Sequence, residues 1–169
     1  MACSYTLSSY SLGECFSSQG GIKTIWLAPY VENAFTIDTG GTVTGFSSEV
    51  TWLKQEVYRN STSLTSTLNA DDNSGSNFVV TEATIVYRKM DKENRMNANA
   101  IAKSDMIDVV RDANDTYFAL GVREPVRASA GTGETGTDRA DSNRYTLTIQ
   151  DYNPEFPPIL DSSAIEKLS

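Results

Sequence analysis

The alternation of apolar and polar positions predicts a chain made mainly of β-strands. Short runs rich in β-branched and aromatic residues recur between clusters of Gly, Asn, Asp and Ser, as expected for strands separated by turns. The clearest runs are residues 22–30, 78–90, 106–111, 116–121 and 145–150. About eight strands are expected in all, which favours an antiparallel β-sandwich or barrel.

Two short hairpins are predicted from their turn residues. Gly40 and Gly41 separate residues 35–38 from residues 42–46. Gly-Gly between β-rich runs favours a tight hairpin turn, with a plain loop as the alternative. Residues 112–115 (DAND) lie between two further strand-like runs, and Asn and Asp suit the backbone geometry of tight turns.

A longer hairpin is predicted in the middle of the chain. Residues 50–68 form a polar segment with strand propensity, residues 69–77 (NADDNSGSN) are turn-rich, and residues 78–90 form a strong strand. The Ser/Thr-rich run 61–67 suits a strand with water on one face and a neighbouring subunit on the other, or an ordinary solvent-exposed strand. Residues 128–140, rich in Gly and Thr, are expected to form a flexible loop.

One packed α-helix is predicted at about residues 91–104. Asp91 is a favoured N-cap residue, Glu93 lies in the first turn, and Lys103 lies near the end, which complements the helix dipole. A thin apolar face is formed by Ala98, Ile101 and Ala102. Asp161 is expected to cap a short final helix.

These elements divide the chain into a central β-sandwich domain, residues 21–152, and two extended terminal arms. The N-terminal arm, residues 1–20, is rich in Ser and has no clear period. The C-terminal arm, residues 153–169, starts with three prolines, which favour an extended backbone.

Composition narrows the possible functions. The 169-residue chain has a net charge of −8 and contains no histidine. An acidic protein does not bind nucleic acid by neutralising phosphates, and the absence of histidine removes the commonest general base and metal ligand. An enzyme is therefore not expected. Neither is a membrane partner, because no apolar stretch approaches the length of about 20 residues that crosses a bilayer.

The N-terminal residues predict a protein that is made without a secretory signal. The N-terminus lacks the basic start and apolar middle of a secretory signal. Cys3 and Cys15 are too few and too close together for a disulfide framework, so both are expected to be reduced thiols in a bacterial cytoplasm.

Two loops resemble ligand-binding motifs only in part. Residues 131–139 (GTGETGTDR) lack the Lys-Ser/Thr ending of a phosphate-binding loop. Asp71, Asp72 and Asn73 resemble the start of a calcium loop, but its spaced Gly and distal Glu are missing. Neither a metal site nor a cofactor is predicted.

Two pairs of carboxylates have the spacing of possible acid/base groups. They are Asp105 with Asp108, and Asp138 with Asp141. Nothing in the sequence places either pair in a cleft, so both are expected to be solvated, and no catalytic residue is predicted.

The order of elements in the second half of the chain carries a family resemblance. A strand, a tight turn and a strand ending in Leu120-Gly121 are followed by a Gly/Thr-rich loop and then by residues 141–148 (DSNRYTLT). This order, over residues 106–152, resembles the C-terminal half of phage major tail proteins, also called tail tube proteins. Residues 20–30 (GGIKTIWLAPY) are similar to the opening strand of that family, and the predicted helix lies where the family places its packed helix.

The resemblance implies a virion structural protein that forms hexameric rings. The rings would stack into a hollow tail tube that conducts DNA during ejection. The implied partners are further copies of the chain and the tape-measure, terminator and baseplate proteins, while DNA would pass without specific binding. The implied location is the virion tail, after synthesis in the host bacterial cytoplasm.

A tube that conducts DNA needs a wall that does not hold phosphates, and acidic groups would repel them. The candidate lumen-facing acidic residues are Glu49, Glu56 and Glu82. The candidate loop for contact with the next ring contains Asp71, Asp72 and Asn73. Both terminal arms are candidate clamps between subunits.

Two other classes of protein remain open. A tail terminator or another head–tail junction protein would form a single ring instead of polymerising. A carbohydrate-binding β-sandwich would need an aromatic platform. The strand aromatics that could supply one, although core packing is their commoner use, are Trp26, Trp52, Tyr58, Tyr87 and Tyr117.

Overall fold

The computed structural model describes residues 7–13 and 17–168, so Cys3 and Cys15 lie outside the described residues. The described N-terminal residues 7–13 and 17–20 are exposed and have no regular structure. The strands that follow are β1 Ile22–Pro29, β2 Phe35–Ile37, β3 Val43–Phe46, β4 Leu53–Glu56, β5 Leu64–Asp71, β6 Ser76–Arg88, β7 Met106–Asp112, β8 Tyr117–Leu120, β9 Arg127–Glu134 and β10 Arg144–Asn153. The helices are α1 Lys92–Lys103 and α2 Ser162–Ile165, and a 3₁₀ turn, Glu166–Leu168, follows α2.

Two four-stranded antiparallel sheets form the body of the protein. Sheet 1 has the strand order β4-β1-β7-β8, and sheet 2 has the order β5-β6-β10-β9. Strands β2 and β3 form a separate hairpin. The prediction of a mainly antiparallel β fold with one packed helix is therefore confirmed.

The main core lies between the two sheets. Alternate residues of each strand face inward, as the period of two in a β-strand requires. Sheet 1 contributes Ile25 and Val110, and sheet 2 contributes Ile85 and Ile149. Helix α1 closes one side of this core with the Ala98 and Ile101 predicted for its buried face, whereas Ala102 is exposed.

The other face of sheet 1 is also buried, and this accounts for the C-terminal segment. Trp26 and Val109 point away from sheet 2 and pack against Val43, Leu160 and Leu168. The sequence predicts this segment, residues 153–169, as an extended C-terminal arm, and the structure packs it against its own sheet. The burial of its apolar side chains explains the difference, since an extended proline-rich start does not prevent docking.

The predicted strand at residues 50–68 is interrupted. Its first part, β4, pairs with β1 in sheet 1, and its second part, β5, pairs with β6 in sheet 2. Between them, Asn60 has a left-handed backbone (φ 59°), and the Ser61 N–H and hydroxyl both donate to the Tyr58 carbonyl. This turn carries the chain from one sheet to the other, so the prediction of one continuous strand is wrong.

The predicted loop at residues 128–140 is also partly wrong, because its first half belongs to β9. The small side chains of this run are needed for packing. A Cβ at Gly131 would lie 2.8 Å from the Leu147 side chain, and one at Gly133 would lie 3.0 Å from the Tyr145 ring. Glycine therefore lets β9 lie close over the large side chains of β10, although its intrinsic strand propensity is low.

Several local predictions are confirmed. Helix α1 begins after Asp91, whose side chain accepts a hydrogen bond from the Asn94 N–H at 2.8 Å. Both short hairpins form, as β2–β3 and β7–β8. The β5–β6 hairpin extends as far as the pair Asp71 and Ser76, so the turn-rich loop is shorter than predicted.

Candidate assembly surface

One outer edge of sheet 1 is closed by the C-terminal segment. The Ala119 N–H donates to the Pro158 carbonyl at 2.9 Å, and the Leu160 N–H donates to the Tyr117 carbonyl at 3.0 Å. These bonds satisfy β8, which would otherwise be an open edge strand. An open edge exposes unpaired backbone groups to other chains, and natural proteins commonly cover such edges.

Both edges of sheet 2 are open in the described part of the chain. Strands β5 and β9 each pair with one neighbour, and no described strand pairs with their outer sides. Each is eight residues long, and neither contains Lys or Pro, which often protect edge strands from pairing. Sheet 2 therefore presents two long open edges, of which β9 carries a bulge opposite Thr148 and Ile149.

The register of β5 identifies the backbone groups at its free edge. The Thr84 N–H donates to the Ser63 carbonyl at 3.2 Å, so every second residue from Ser63 onward points its backbone groups toward β6. The intervening residues point their N–H and C=O groups outward. They are Leu64, Ser66, Leu68 and Ala70.

The outer face of sheet 2 is polar and rich in hydroxyl groups. No other described element packs on it, because α1 lies on the inner side. Its threonines are Thr65, Thr67, Thr84, Thr132, Thr146 and Thr148. An exposed aromatic pair, Phe78 and Tyr152, lies on the same face. Glu82 lies among them and accepts a hydrogen bond from the Gln150 side chain. At one end, Arg144 pairs with Glu134 at 2.7 Å.

The three candidate lumen-facing acids lie on different elements. Glu49 lies in the turn after β3, and Glu56 is the last residue of β4 in sheet 1, opposite Thr24. Glu82 lies in the middle of β6 on the outer face of sheet 2. Glu82 is therefore the one of the three that belongs to the sheet with two open edges.

The candidate inter-ring residues form the tip of the β5–β6 hairpin. The Asn73 N–H donates to Asp71 Oδ1 at 2.9 Å, and this bond lowers the pKa of Asp71. Asp72 and Asn73 are exposed at the turn. The tip projects from the end of the longest strand, where it can meet another molecule.

The strand aromatics do not form a sugar-binding platform. Trp26 is buried and packs against Tyr117 with 5.7 Å between ring centroids, and Trp52 packs against Phe46 at 5.0 Å. The Tyr87 hydroxyl donates to Gln55, and burial raises its pKa to about 12. Tyr58 is exposed, but the Arg88 guanidinium lies over its ring.

The carboxylate pairs proposed for acid/base chemistry have structural partners or lie apart. Asp105 forms an ion pair with Arg127, with 2.6 Å between Asp105 Oδ1 and Arg127 Nε, and this ion pair lowers the pKa of Asp105. Asp108, by contrast, is buried in the core. Asp141 Oδ2 accepts hydrogen bonds from the N–H groups of Thr137 and Asp138, which also lowers its pKa.

No group of three potential metal-binding side chains occurs among the described residues. A mainly apolar cavity of about 220 Å³ lies between α1 and strands β1 and β4. Four other surface cavities have volumes of about 360–470 Å³, within the roughly 300–1,000 Å³ typical of ligand pockets.

One pair of buried acids was not singled out from the sequence. Asp108 shares the inward face of β7 with Met106 and Val110, and Asp151 shares the inward face of β10 with Ile149. A count of alternate positions along these strands would have placed both carboxyls inside the sandwich.

No helix in the described ranges has the length and apolar character needed to span a bilayer. Comparison with family models, with curated proteins and with solved structures found no match to this chain.

Proposed function

We propose that this chain is the subunit of a phage tail tube, and that sheet 2 lines the tube. The observation that carries the proposal is the pair of open edges, β5 and β9, on one sheet. Edge strands of this length invite pairing with another chain. A subunit with two different open edges on one sheet associates head to tail, and such association closes into a ring when the rotation between subunits permits.

The strand directions support a regular joint between subunits. Each neighbouring pair in sheet 2 is antiparallel, so β5 and β9 run in opposite directions. In a ring whose subunits all point the same way, β5 of one copy would therefore meet β9 of the next in antiparallel orientation. The joint would continue the same hydrogen-bond pattern and close the sheets into one barrel without edges.

The outer face of sheet 2 suits a wall along which DNA moves. Its threonine hydroxyls form only weak, uncharged contacts with phosphates. The arginines at the end of the sheet are already engaged, Arg144 with Glu134 and Arg88 with the Tyr58 ring. Glu82 adds a negative charge, and the net charge of the whole chain is −8. Such a wall would repel or ignore DNA instead of retaining it.

The proposal is tested by electron microscopy of Leu68→Pro beside Leu68→Ala. Proline at position 68 removes an N–H that points to the free edge of β5 and leaves the ladder with β6 intact. Alanine removes the same side chain but keeps the N–H. We expect hollow tubes for the natural chain and for Leu68→Ala, and folded subunits without tubes for Leu68→Pro.

The outcomes separate the alternatives. Tubes formed equally well by Leu68→Pro would contradict pairing through β5. Single rings that do not stack would favour a tail terminator. A natural chain that stays monomeric at all concentrations and also on pre-formed tube fragments would overturn the proposal.

A further inference from the structure

Two carboxyl groups are buried inside the sandwich, one from each sheet. Asp108 on β7 of sheet 1 is 0% exposed, and Asp151 on β10 of sheet 2 is 1% exposed. No oxygen of either carboxyl has a hydrogen-bond partner of normal geometry, although the Gly121 N–H makes a weaker contact with Asp151. Burial of an ionised carboxylate is costly unless it is paired, so an arrangement without a cation favours the neutral, protonated form.

The surroundings of both groups offer little to stabilise negative charge. Asp108 lies between Leu27 of β1 and Leu120 of β8, and Asp151 lies opposite Thr81 of β6. The Thr81 hydroxyl is already engaged with Ser66. No ion pair of the described residues includes Asp108 or Asp151.

The remaining neighbours come from the segment between β8 and β9. Glu124 adds a further negative charge near Asp151, which raises the pKa of Asp151. The Gly121 N–H interacts with Asp151 and partly offsets this rise. Arg127, which interacts electrostatically with Glu124, is paired with Asp105 at the surface.

The pKa values agree in direction with this geometry. Burial raises the pKa of Asp108 well above its ordinary value, and the neighbouring Asp151 charge raises it further. Burial also raises the pKa of Asp151, from an ordinary 3.8 to about 6.

We propose that Asp108 and Asp151 form a proton-dependent lock between the two sheets. Protons held by the pair keep the sheets closed, and loss of these protons to solvent leaves like charges facing each other in the core and weakens the packing. The lock is a property of the single subunit, so it does not depend on the proposed tube.

The sign of the pH dependence follows from linkage. Above pH 3.8 the unfolded chain releases these protons, while the folded chain keeps them until the pH passes the raised pKa. Stability therefore falls as the pH rises through this window. For Asp151 alone, a pKa raised from 3.8 to about 6 corresponds to roughly a 100-fold loss in the folding equilibrium constant.

The test is thermal unfolding of dilute subunits between about pH 4.5 and 7.5. The chains compared are the natural one, the double variant Asp108→Asn/Asp151→Asn, and Asp105→Asn as an exposed control. We expect the melting temperature of the natural chain and of the control to fall with rising pH. The melting temperature of the double variant should fall by less than half as much over the same pH range. Parallel curves for all three chains would overturn the proposal.

Carbon NMR of the aspartate carboxyls gives a second readout that needs no folded variant. We expect Asp151 to titrate with a midpoint near 6 and Asp108 to titrate well above its ordinary value. Midpoints at the ordinary value of 3.8 for both groups would overturn the proposal even if the double variant failed to fold.

Discussion

Gly121 shows how a single position can control the contact between β8 and its neighbours. Its backbone is left-handed (φ 83°), a conformation that favours glycine. A Cβ at this position would lie 3.1 Å from both the Met106 carbonyl oxygen and the Ile107 side chain. Because Met106 and Ile107 belong to β7 in the centre of the core, neither can move freely.

We therefore expect Gly121→Ala to lower the free energy of unfolding by about 1–3 kcal/mol through backbone strain and crowding. Gly20→Ala is the matched control, because Gly20 has no left-handed backbone and a Cβ there meets nothing within 4 Å. Urea unfolding measures both variants. Equal stability of the two variants would contradict the assigned role of Gly121.

At the scale of elements, the sequence predicts best where the signals are local. The N-cap Asp91 and the buried positions Ala98 and Ile101 lie within one helix, so their spacing alone predicts α1. Gly40-Gly41 and residues 112–115 likewise mark turns between adjacent strands.

Local signals do not show which strands pair when the strands are far apart in the sequence. The partner of β4 is β1, and the partner of β9 is β10, whose Leu147 explains the glycines of β9. The same limit applies to the candidate site. The Thr-rich composition of β5 indicates a solvated face, but only the sheet order shows that β5 and β9 are open edges.

The C-terminal segment gives a prediction that separates a docked element from a free arm. Leu160 is 5% exposed in the cluster that covers Trp26, whereas its neighbour Ile159 is 47% exposed. We expect Leu160→Ala to cost about 2–4 kcal/mol of stability, because it opens a cavity beneath sheet 1. Ile159→Ala, the control, should cost less than about 1 kcal/mol. Chemical denaturation of isolated subunits measures both variants. If Leu160→Ala does not lower the free energy of unfolding, the C-terminal segment is a free arm in solution.

At the scale of the whole molecule, strand number limits the width of a barrel built from sheet 2. Each subunit contributes four strands, spaced at about 4.8 Å. Six subunits give a circle about 37 Å across, and inner side chains reduce the opening to about 27 Å. Four subunits would leave only about 14 Å. With strands parallel to the axis, a ring of six can therefore admit a DNA duplex, whereas a ring of four is too narrow. A strand tilt of about 35–45° would widen both rings by roughly 20–40%.

The length of β6 sets the height of such a ring. Its 13 residues span about 40–45 Å when fully extended, and a tilted strand spans less along the axis. We expect averaged electron micrographs of tubes to show six-fold end views with a β-wall at least about 37 Å across and an axial repeat no longer than about 45 Å. Tubes of Leu68→Ala should share these dimensions, since the side chain of Leu68 faces away from the lumen. A four-fold ring would contradict the expected six-fold symmetry while preserving edge pairing, because association through β5 and β9 fixes the joint but not the number of subunits that close it.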